Sequence, residues 1–255
     1  MSVPAAQHNR EIHENIKAWE KKPALREVYR EFHRLIARSL IDCPGAVTLE
    51  LGSGIGKIKE TIPHCVTSDI FPNPWLDRTE NAYALSYGDG AVANLILFDV
   101  WHHLQYPGTA LRECRRVLRP GGRLLIFDPG MGLAGRLVYG MFHHEPLGFG
   151  QPLSWEAPAG WNPHQAPYFA AQASAHRFFV RRERTEWEAD WSLVRLCRLS
   201  GLAYVGSGGF RGPRLYPSAL CPALRAIDRG LSALPGIFAS RLLVVLERPP
   251  GAREG

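Results

Sequence analysis

The 255-residue sequence has few cysteines, and none of them stands in a pair that could form a metal knuckle. The five cysteines are odd in number and widely spaced, so neither a disulfide framework nor a structural zinc site is expected. Long apolar runs are also missing, because the longest uncharged apolar stretches fall well short of the ~20 residues that a membrane-spanning helix needs. Residues 1–20 lack the apolar centre of a signal peptide. These absences predict a reduced, cytoplasmic protein without a membrane span.

Lysine is absent from the second half of the chain. Residues 131–255 carry 14 arginines against 9 acids, a net charge of +5. Residues 1–130 carry 5 lysines and 11 arginines against 15 acids, a net charge of +1. Either an arginine-rich genome accounts for this asymmetry, or the second half meets an anionic ligand, since guanidinium groups suit phosphate and carboxylate. No basic segment interleaves lysines with base-stacking aromatic residues, so no nucleic-acid partner is expected.

Short apolar strands alternate with helices in the middle of the chain. Hydrophobic residues make up 45% of the sequence, which is enough for a buried core and excludes a disordered chain. The patterns predict a helix over 109–118 and strands over residues 46–51, 63–70, 94–99 and 123–128. The third strand is apolar throughout, as expected of a strand that is buried on both faces. This alternation predicts an α/β protein with a parallel, doubly wound sheet.

Further helical and strand patterns flank this central region. Residues 8–40 carry apolar side chains at three-and-four spacing opposite a charged face, which predicts an amphipathic helical cover. Towards the C-terminus, the patterns predict two helices and two strands, in chain order a helix over 186–200, a strand over 202–205, a helix over 220–234 and a strand over 241–247.

These elements define the expected domain organisation. We expect an N-terminal helical cover over residues 1–45 and one domain over residues 46–255. Within that domain, residues 129–185 form an irregular insert rich in proline, glycine, histidine and aromatic residues. The insert follows a strand of the parallel sheet, so it is expected above the carboxyl edge, where ligands bind in open α/β sheets.

An acidic residue and three glycines follow the first predicted strand, in the segment Glu50-Leu-Gly-Ser-Gly-Ile-Gly56. Glycines at such a turn let the backbone approach a ligand closely and present its amide groups. Asp69 stands nineteen residues after Glu50, at the end of the next strand, where a carboxylate can accept two hydrogen bonds from a ribose diol. A glycine turn and a ribose-binding acid at one sheet edge predict a cofactor that contains adenosine.

This segment resembles motif I of the class I S-adenosylmethionine-dependent methyltransferases. Its glycine spacing is G-x-G-x-G, whereas dinucleotide-binding folds use G-x-G-x-x-G. Three further segments resemble that family in the same order along the chain, namely residues 81–87, 97–104 and 111–122. Together the four segments match the broad methyltransferase type 11 group over residues 46–128. The resemblance implies a Rossmann-like fold with a mostly parallel, seven-stranded sheet, S-adenosylmethionine as cofactor, and methyl transfer as the activity.

The resemblance also implies which residues bind the cofactor. They are Glu50, Gly52, Ser53, Gly54, Gly56, Asp69, Ile70, Asn81, Ala82, Asp99 and Val100. In the family's pattern, the glycine turn lines the methionine and ribose, and Asp69 binds the ribose hydroxyls. Ile70 packs on adenine, while Asn81 and Ala82 meet its amino group and a ring nitrogen.

Asp99 and Val100 correspond to the place where the family holds the methionine amino group. The sequence departs from the family's pattern in two respects. Asn81 replaces the usual acid, although its carbonyl oxygen can still accept a hydrogen bond. The segment 70–80 is short and contains two prolines, so the second crossover helix of the fold is expected to be missing.

Histidines and one carboxylate are concentrated where the methyl acceptor is expected. His144 and Glu145 lie in the insert, and a histidine beside a carboxylate is the usual composition of a general base and its orienting partner. His103 follows the fourth strand, where it could orient the acceptor or take its proton, while His102 is interpreted as a packing residue. The candidate catalytic residues are therefore His144, Glu145 and His103, and a solvated loop is the alternative interpretation of the insert pair.

The same insert histidines also allow a metal-binding interpretation. His143, His144, Glu145 and His164 offer the right donor types. Histidines that are adjacent in sequence are less well placed to bind one metal ion than histidines four residues apart on a helix. No metal site is therefore predicted.

The expected reaction is methylation at oxygen, on a small molecule or on a glycan or lipid intermediate. The alternatives are an N-methyltransferase acting on a protein or an amine, and a protein that binds S-adenosylmethionine without turnover. The arginines that flank the insert histidines predict an acceptor with a phosphate or carboxylate group. These arginines are Arg136, Arg177, Arg181 and Arg182.

Overall fold

A computed structural model describes residues 5–143, 145–165 and 168–250. Seven strands are present in this part of the chain: β1 (Val47–Leu51), β2 (Cys65–Asp69), β3 (Arg78–Thr79), β4 (Val92–Phe98), β5 (Leu118–Pro129), β6 (Ser192–Ser200) and β7 (Ala239–Glu247). The α-helices of the described residues are α1 (Ala5–Lys21), α2 (Pro23–Ala37), α3 (Pro107–Val117), α4 (Leu133–Phe142), α5 (Leu202–Gly206), α6 (Cys221–Leu231) and α7 (Pro235–Phe238).

The seven strands form one sheet in the order β3-β2-β1-β4-β5-β7-β6. Strands β1 to β5 pair in parallel, and β7 runs antiparallel to both of its neighbours. The strand order reverses direction between β1 and β4, and such a switch point opens a crevice at the carboxyl ends of the strands. The predicted fold, a doubly wound, mostly parallel seven-stranded sheet, is confirmed.

The central strands are apolar because both of their faces are covered. Every residue of β4 is buried, as is almost all of β7. On one face, α3 packs with the aromatic residues Trp101, Phe178 and Phe179. On the other face, α2 packs on the sheet, with the Phe32 ring 4.8 Å from that of Phe127. The sheet is thus held rigidly from both sides, which fixes the positions of the residues at its edge.

The helical pattern predicted over residues 8–40 is confirmed as two helices, α1 and α2. The break falls at Lys22, because Pro23 cannot continue a preceding helix but fits the first turn of a new one. Helix α2 buries Leu25, Val28 and Ile36 along one face. The pattern predicted at 220–234 is also confirmed, as α6 between β6 and β7.

Two elements near the C-terminus are the reverse of those predicted. Residues Ser192–Ser200 form β6 where a helix was predicted over 186–200, and the strand predicted over 202–205 is α5. β6 pairs along most of its length with the buried β7, and this tertiary pairing outweighs the local apolar spacing. The register shifts between Leu193 and Arg195, where a bulge accommodates a sequence whose apolar residues do not alternate.

The connection between β2 and β3 is a loop without a helix, so the predicted absence of the second crossover helix is confirmed. The connection between β1 and β2 is also reduced, to a single 3-10 turn at Lys57–Glu60. Both shortened connections lie on the β1 side of the switch point. Of the helices in the described residues, none is long and apolar enough to cross a membrane.

Candidate active site

The backbone of the glycine turn after β1 adopts a conformation that residues with a side chain rarely adopt. Gly52, Gly54 and Gly56 have φ angles of 69°, 51° and 67°, in the left-handed region that favours glycine. A Cβ atom at Gly52 would overlap the side chain of Val100. Glycine at these positions therefore keeps the loop close to the end of β4 and leaves its amide groups accessible.

Glu50 is buried beneath this loop. Burial raises the pKa of its carboxyl group to about 7. Its Oε2 atom has no hydrogen-bond partner within the described residues. A cationic amino group placed above the loop would satisfy that oxygen, because a buried carboxylate is stabilised by a nearby opposite charge.

Asp69 ends β2 next to the glycine turn and is buried. Its carboxylate accepts hydrogen bonds from the backbone N–H groups of Gly54 (3.2 Å) and Ile70 (2.7 Å). His8 of α1 lies over the same carboxylate, with Nε2 at 3.4 Å from Oδ1. This contact raises the pKa of His8. Asp69 is thus fixed where a ribose-binding acid would stand, and α1 covers it.

Helix α1 also covers the loop that follows β2. The His8 ring lies 5.2 Å from that of Phe71, and the His13 ring lies 5.1 Å from that of Trp75. Trp75 donates its indole N–H to the Gly54 carbonyl oxygen at 2.8 Å, which ties this loop to the glycine turn. We call Glu50, the glycine turn and Asp69 together the nucleoside end of the site.

The residues predicted to meet adenine lie apart from the open space of the site. Asn81 accepts a hydrogen bond from the Tyr83 N–H through Oδ1 and donates one from Nδ2 to the Pro163 carbonyl. Ala82 packs against the core, and Ile70 is half exposed. Asp69, Ile70, Asn81 and Ala82 are all described, and none of these four lines the cavity. Their roles in binding adenine and ribose stay predictions.

A cavity of about 620 Å³ opens beside the glycine turn at the carboxyl edge of the sheet. Its walls come from the glycine turn, the end of β4, helices α1 and α4, and the loop after α5. Residues that represent these walls are Gly54, Asp99, Glu11, Tyr139 and Phe210. Cofactor and acceptor could both reach this space, since it touches the nucleoside end and the insert.

Asp99 is held at the end of β4 by a buried arginine. Its φ of 56° is left-handed, and its Oδ1 accepts a hydrogen bond of 2.7 Å from Arg241 of β7. The Arg241 guanidinium lies 4.7 Å from the centre of the Phe127 ring and is enclosed by further aromatic residues. This pair places one negative and one positive charge side by side in the cavity wall.

Opposite the glycine turn, His102 stands between two carboxylates. Its Nδ1 is 2.9 Å from Oδ1 of Asp128, and its Nε2 is 3.6 Å from Oε2 of Glu145. Burial disfavours a charge on this ring, but Asp128 outweighs burial and raises the pKa of His102 to about 10. The register of β4 and β5 brings the two residues together, because Phe98 is paired with Phe127 and both strands end at this edge.

His103 lies beside His102, with the two ring centres 4.1 Å apart. Its Nδ1 lies 3.0 Å from the Phe169 carbonyl oxygen, to which it donates its proton. Its Nε2 therefore points the other way, 3.9 Å from Oε1 of Glu145. Burial and the charge of His102 lower the pKa of His103 to about 4, so the ring is neutral at neutral pH. We call His102, His103, Asp128 and Glu145 the histidine cluster.

Glu145 is held in the cluster by the insert. Its carboxylate accepts hydrogen bonds from the Tyr168 hydroxyl and the Gln172 side-chain amide. Burial favours its neutral form, but His102 and the other neighbours outweigh that effect and lower its pKa below the usual range. The predicted catalytic residues Glu145 and His103 are thus brought together, whereas His144 lies outside the described residues.

Sequence analysis missed several residues of this site. His102 was interpreted as a packing residue, and Asp128, Gln172 and Arg241 were not considered. Asp128 ends a predicted strand next to the strand that precedes His102, and this pairing of strand ends was a signal that could have found it. Arg241 carries no such signal, because β7 is antiparallel and contributes its N-terminal end to this edge.

The four arginines predicted to bind an anionic acceptor are placed elsewhere. Arg177 and Arg181 form ion pairs with Glu183, and Arg182 pairs with Glu188. Arg136 stacks over the Phe149 ring. None of the four lines the cavity formed by the described residues, so their placement gives no support to that prediction.

The residues at the nucleoside end fit S-adenosylmethionine. The loop with left-handed glycines admits a ligand close to its amides, and the unpartnered Glu50 oxygen suits the cationic methionine end. Asp69 suits a ribose diol, which would take the place of His8. A nucleoside bound by Asp69 would displace His8 of α1 from that carboxylate.

Comparison with known proteins agrees with this geometry. Residues 49–126, from β1 to β5, match the family described as methyltransferase domain. An uncharacterized 37.1 kDa protein in transposon TN4556 of Streptomyces fradiae is 31% identical over 126 residues. That match covers 42% of this chain and 36% of the relative. The chain therefore matches only about a third of that relative's length.

Two solved structures are similar to this chain at low sequence identity. A geranyl diphosphate methyltransferase in complex with GPP and sinefungin is 11% identical, with a TM-score of 0.50 over 86% of this chain and 78% of that chain. A protein from Thermotoga maritima, described as a possible histamine N-methyltransferase, is 12% identical, with a TM-score of 0.49 over 93% of this chain and 99% of that chain.

The matched domain spans the strands that carry the glycine turn and Asp69, and the sheet is the mostly parallel, seven-stranded sheet that the sequence resemblance implies. The cofactor implied by both is S-adenosylmethionine, which the residues at the nucleoside end fit. Residues 49–126 thus match the methyltransferase domain family, and the chain resembles the class I S-adenosylmethionine-dependent methyltransferases.

Proposed function

We propose that this chain transfers a methyl group from S-adenosylmethionine to an oxygen atom of an acceptor bound in the cavity. The observation that carries the proposal is the single open space that joins the glycine turn to the histidine cluster. When bound, S-adenosylmethionine supplies an electrophilic methyl group on its sulfonium. The residues of this chain then have to hold an acceptor oxygen in line with that methyl group, and such positioning is the larger part of the catalysis.

The nucleoside end holds the cofactor in this proposal. Gly52, Ser53 and Gly54 line the cavity and would lie along the methionine and ribose. Glu50 and Asp99 would meet the methionine amino group, and Val100 fixes the distance between the loop and β4. Gly56 keeps the left-handed turn that starts the next element. Asp69, Ile70, Asn81 and Ala82 would hold ribose and adenine once α1 has moved.

The histidine cluster orients the acceptor and takes its proton. An acceptor hydroxyl becomes more acidic as its oxygen bonds to the methyl group, so a modest base suffices. The neutral His103 offers Nε2 as a proton acceptor, because its Nδ1 is committed to the Phe169 carbonyl. Glu145 is kept ionised beside it, and His144 is the third residue that we propose for this role.

The cavity walls favour an acceptor with an apolar part. Val138, Phe142 and Leu215 also line the cavity, and Phe142 and Leu215 are largely exposed. A small molecule, or a glycan or lipid intermediate with an apolar portion, would bury this surface on binding. We propose a cytoplasmic location for the reaction, in keeping with five free thiols among the described residues.

The test is product formation. The purified chain is incubated with S-adenosylmethionine labelled in the methyl group and with fractionated small-molecule, glycan and lipid extracts. We expect S-adenosylhomocysteine to form together with a labelled methyl ether or ester. Label on an amine or on protein would overturn O-methylation and favour the N-methyltransferase alternative. Tight cofactor binding without S-adenosylhomocysteine in any fraction would favour a binding protein without turnover.

A further inference from the structure

Three side chains of the histidine cluster converge on one point at the cavity wall. They are His102 and His103, which follow β4, and Glu145 of the insert. One donor atom of each lies within 4.8 Å of the other two. Both Nε2 atoms face the Glu145 carboxylate, at 3.6 Å from His102 and 3.9 Å from His103.

Each imidazole is oriented by a partner on its other nitrogen. His102 uses Nδ1 with the buried Asp128 carboxylate, at 2.9 Å, and His103 uses Nδ1 with the Phe169 carbonyl, at 3.0 Å. Histidines that bind metals almost always donate the second ring N–H to a carboxylate or a backbone carbonyl. The two rings therefore show both forms of this arrangement, and their Nε2 atoms both face the Glu145 carboxylate.

The distances across the cluster suit an ion better than direct hydrogen bonds. A separation of 3.6 Å or more between nitrogen and oxygen is beyond hydrogen-bond range. Two ligand atoms on a tetrahedral zinc ion, at their usual bond lengths, lie about 3.3–3.6 Å apart. A small closure of the cluster would bring all three groups to that separation.

We propose that His102 Nε2, His103 Nε2 and the Glu145 carboxylate bind one divalent first-row cation of the zinc class. Two imidazoles and one carboxylate suit zinc, iron or manganese, whereas magnesium prefers oxygen ligands. The ligand set differs from the four insert residues that sequence analysis weighed, because His102 and His103 come from the strand end. The alternative trio of Asp99, His102 and Asp128 is less suitable, since Arg241 already pairs with Asp99.

The ion would have an open side towards the cavity, because all three ligand residues line it. Three protein ligands leave at least one position of a four-coordinate ion for a water or an acceptor oxygen. The role in catalysis rests on the proposed function, whereas the binding of the ion does not. With the ion bound, His103 Nε2 is a ligand and no longer the proton acceptor; an acceptor hydroxyl held on the ion would be positioned and made more acidic, and would release its proton to water.

The experiment uses the full chain after treatment with a chelator. Cobalt(II) is titrated in as a spectroscopic probe, followed by zinc, with and without S-adenosylhomocysteine. We expect one equivalent of cobalt with visible bands of a low-coordinate site, displacement by one equivalent of zinc, and no displacement by magnesium. Binding of S-adenosylmethionine is measured by calorimetry on the same preparation, so that failure of the two proposals can be told apart.

Variants locate the ion. His103→Gln and Glu145→Gln should each remove the cobalt bands, and Asp128→Asn should weaken zinc binding ~10–100-fold by freeing the His102 ring. His64→Gln, an exposed histidine, is the control and should bind as the wild type does. Circular dichroism checks that each variant is folded. If Asp128→Asn does not fold, His103→Gln still tests the site, because His103 is only partly buried and its replacement disturbs the core less.

The proposal is overturned if the folded wild type takes up no cobalt or zinc with or without S-adenosylhomocysteine. It is also overturned if His103→Gln and Glu145→Gln, both folded, bind cobalt with unchanged affinity and spectrum. Either result leaves the proposed methyl transfer standing if S-adenosylmethionine still binds and turns over.

Discussion

The nucleoside end and the histidine cluster lie at one edge of the same sheet, but they are assembled differently. Residues 50–69 supply the nucleoside end from one stretch of chain, through a turn whose conformation is set by glycine. The cluster takes its groups from β4, β5 and the insert, and Arg241 of β7 lies beside it. A local motif can thus form the proposed cofactor site, whereas the proposed acceptor site depends on the whole fold.

The largest expected effect is at the nucleoside end. Gly54→Val places a β-branched residue at a φ of 51° and should abolish S-adenosylmethionine binding in calorimetry. Gly45→Val is the matched control, because Gly45 also has a positive φ, of 78°, but open space around it. The control should lose stability and keep cofactor affinity. Equal loss of affinity in both variants would contradict a specific role for the turn.

The converse experiment addresses the histidine cluster. Glu145→Gln or His103→Ala should lower turnover by ~10²–10⁴-fold, because the acceptor loses its proton acceptor. Affinity for S-adenosylmethionine should stay within a few-fold of the wild-type value, since neither residue belongs to the nucleoside end. His164→Ala, in the exposed part of the insert, is the control and should be fully active. A parallel loss of cofactor affinity and turnover would show that the two ends are not separate.

Glu50 makes the nucleoside end sensitive to pH. Its pKa is about 7 in the folded protein against an ordinary value of 4.5, so the folded state holds a proton that the unfolded chain releases between these values. The free energy of unfolding should therefore fall as pH rises through this window, by about 3 kcal/mol from this group.

Glu50→Gln should remove that part of the pH dependence in urea unfolding between pH 4.5 and 7. Glu20→Gln, which changes an exposed carboxylate, should keep it. If the two variants show the same slope as the wild type, Glu50 is ionised in the folded protein over the whole window.

Replacement of Asp69 tests only the proposed contact with the ribose. Asp69→Ala should weaken S-adenosylmethionine binding by ~1.5–3 kcal/mol, the range for hydrogen bonds to a charged group. Binding of methionine alone should be unaffected, because the role that we propose for Asp69 is in binding the ribose. Unchanged affinity for S-adenosylmethionine would remove Asp69 from the site.

The smallest expected effect concerns the cover over the nucleoside end. His8→Gln should strengthen cofactor binding by a few-fold, since a partly exposed ion pair that competes for Asp69 contributes up to about 1 kcal/mol. Hydrogen exchange over residues 8–21, with and without S-adenosylmethionine, reports whether α1 rearranges on binding. Identical protection in both states would mean that α1 stays docked.

Short-range patterns of apolar residues correctly predicted the elements whose burial stays the same along their length. Strand β4 is apolar throughout because it is covered on both faces, and α2 shows a clear apolar stripe because only one face is covered. The sequence pattern gave the wrong prediction for β6, because this edge strand is stabilised by pairing with β7 rather than by the spacing of its own apolar residues. A helical spacing of leucines was therefore misleading at Ser192–Ser200.

For the site, sequence alone determined the acid, the glycine turn and Asp69, because a left-handed turn and a carboxylate at a strand end are local requirements. It also indicated His103 and Glu145 as separate candidates. Only the tertiary structure decided that His102 pairs with Asp128 and faces Glu145, since strand register and the insert's path bring them together. Contacts between residues far apart in the chain carry no local periodicity, so the histidine cluster becomes visible only in the folded sheet.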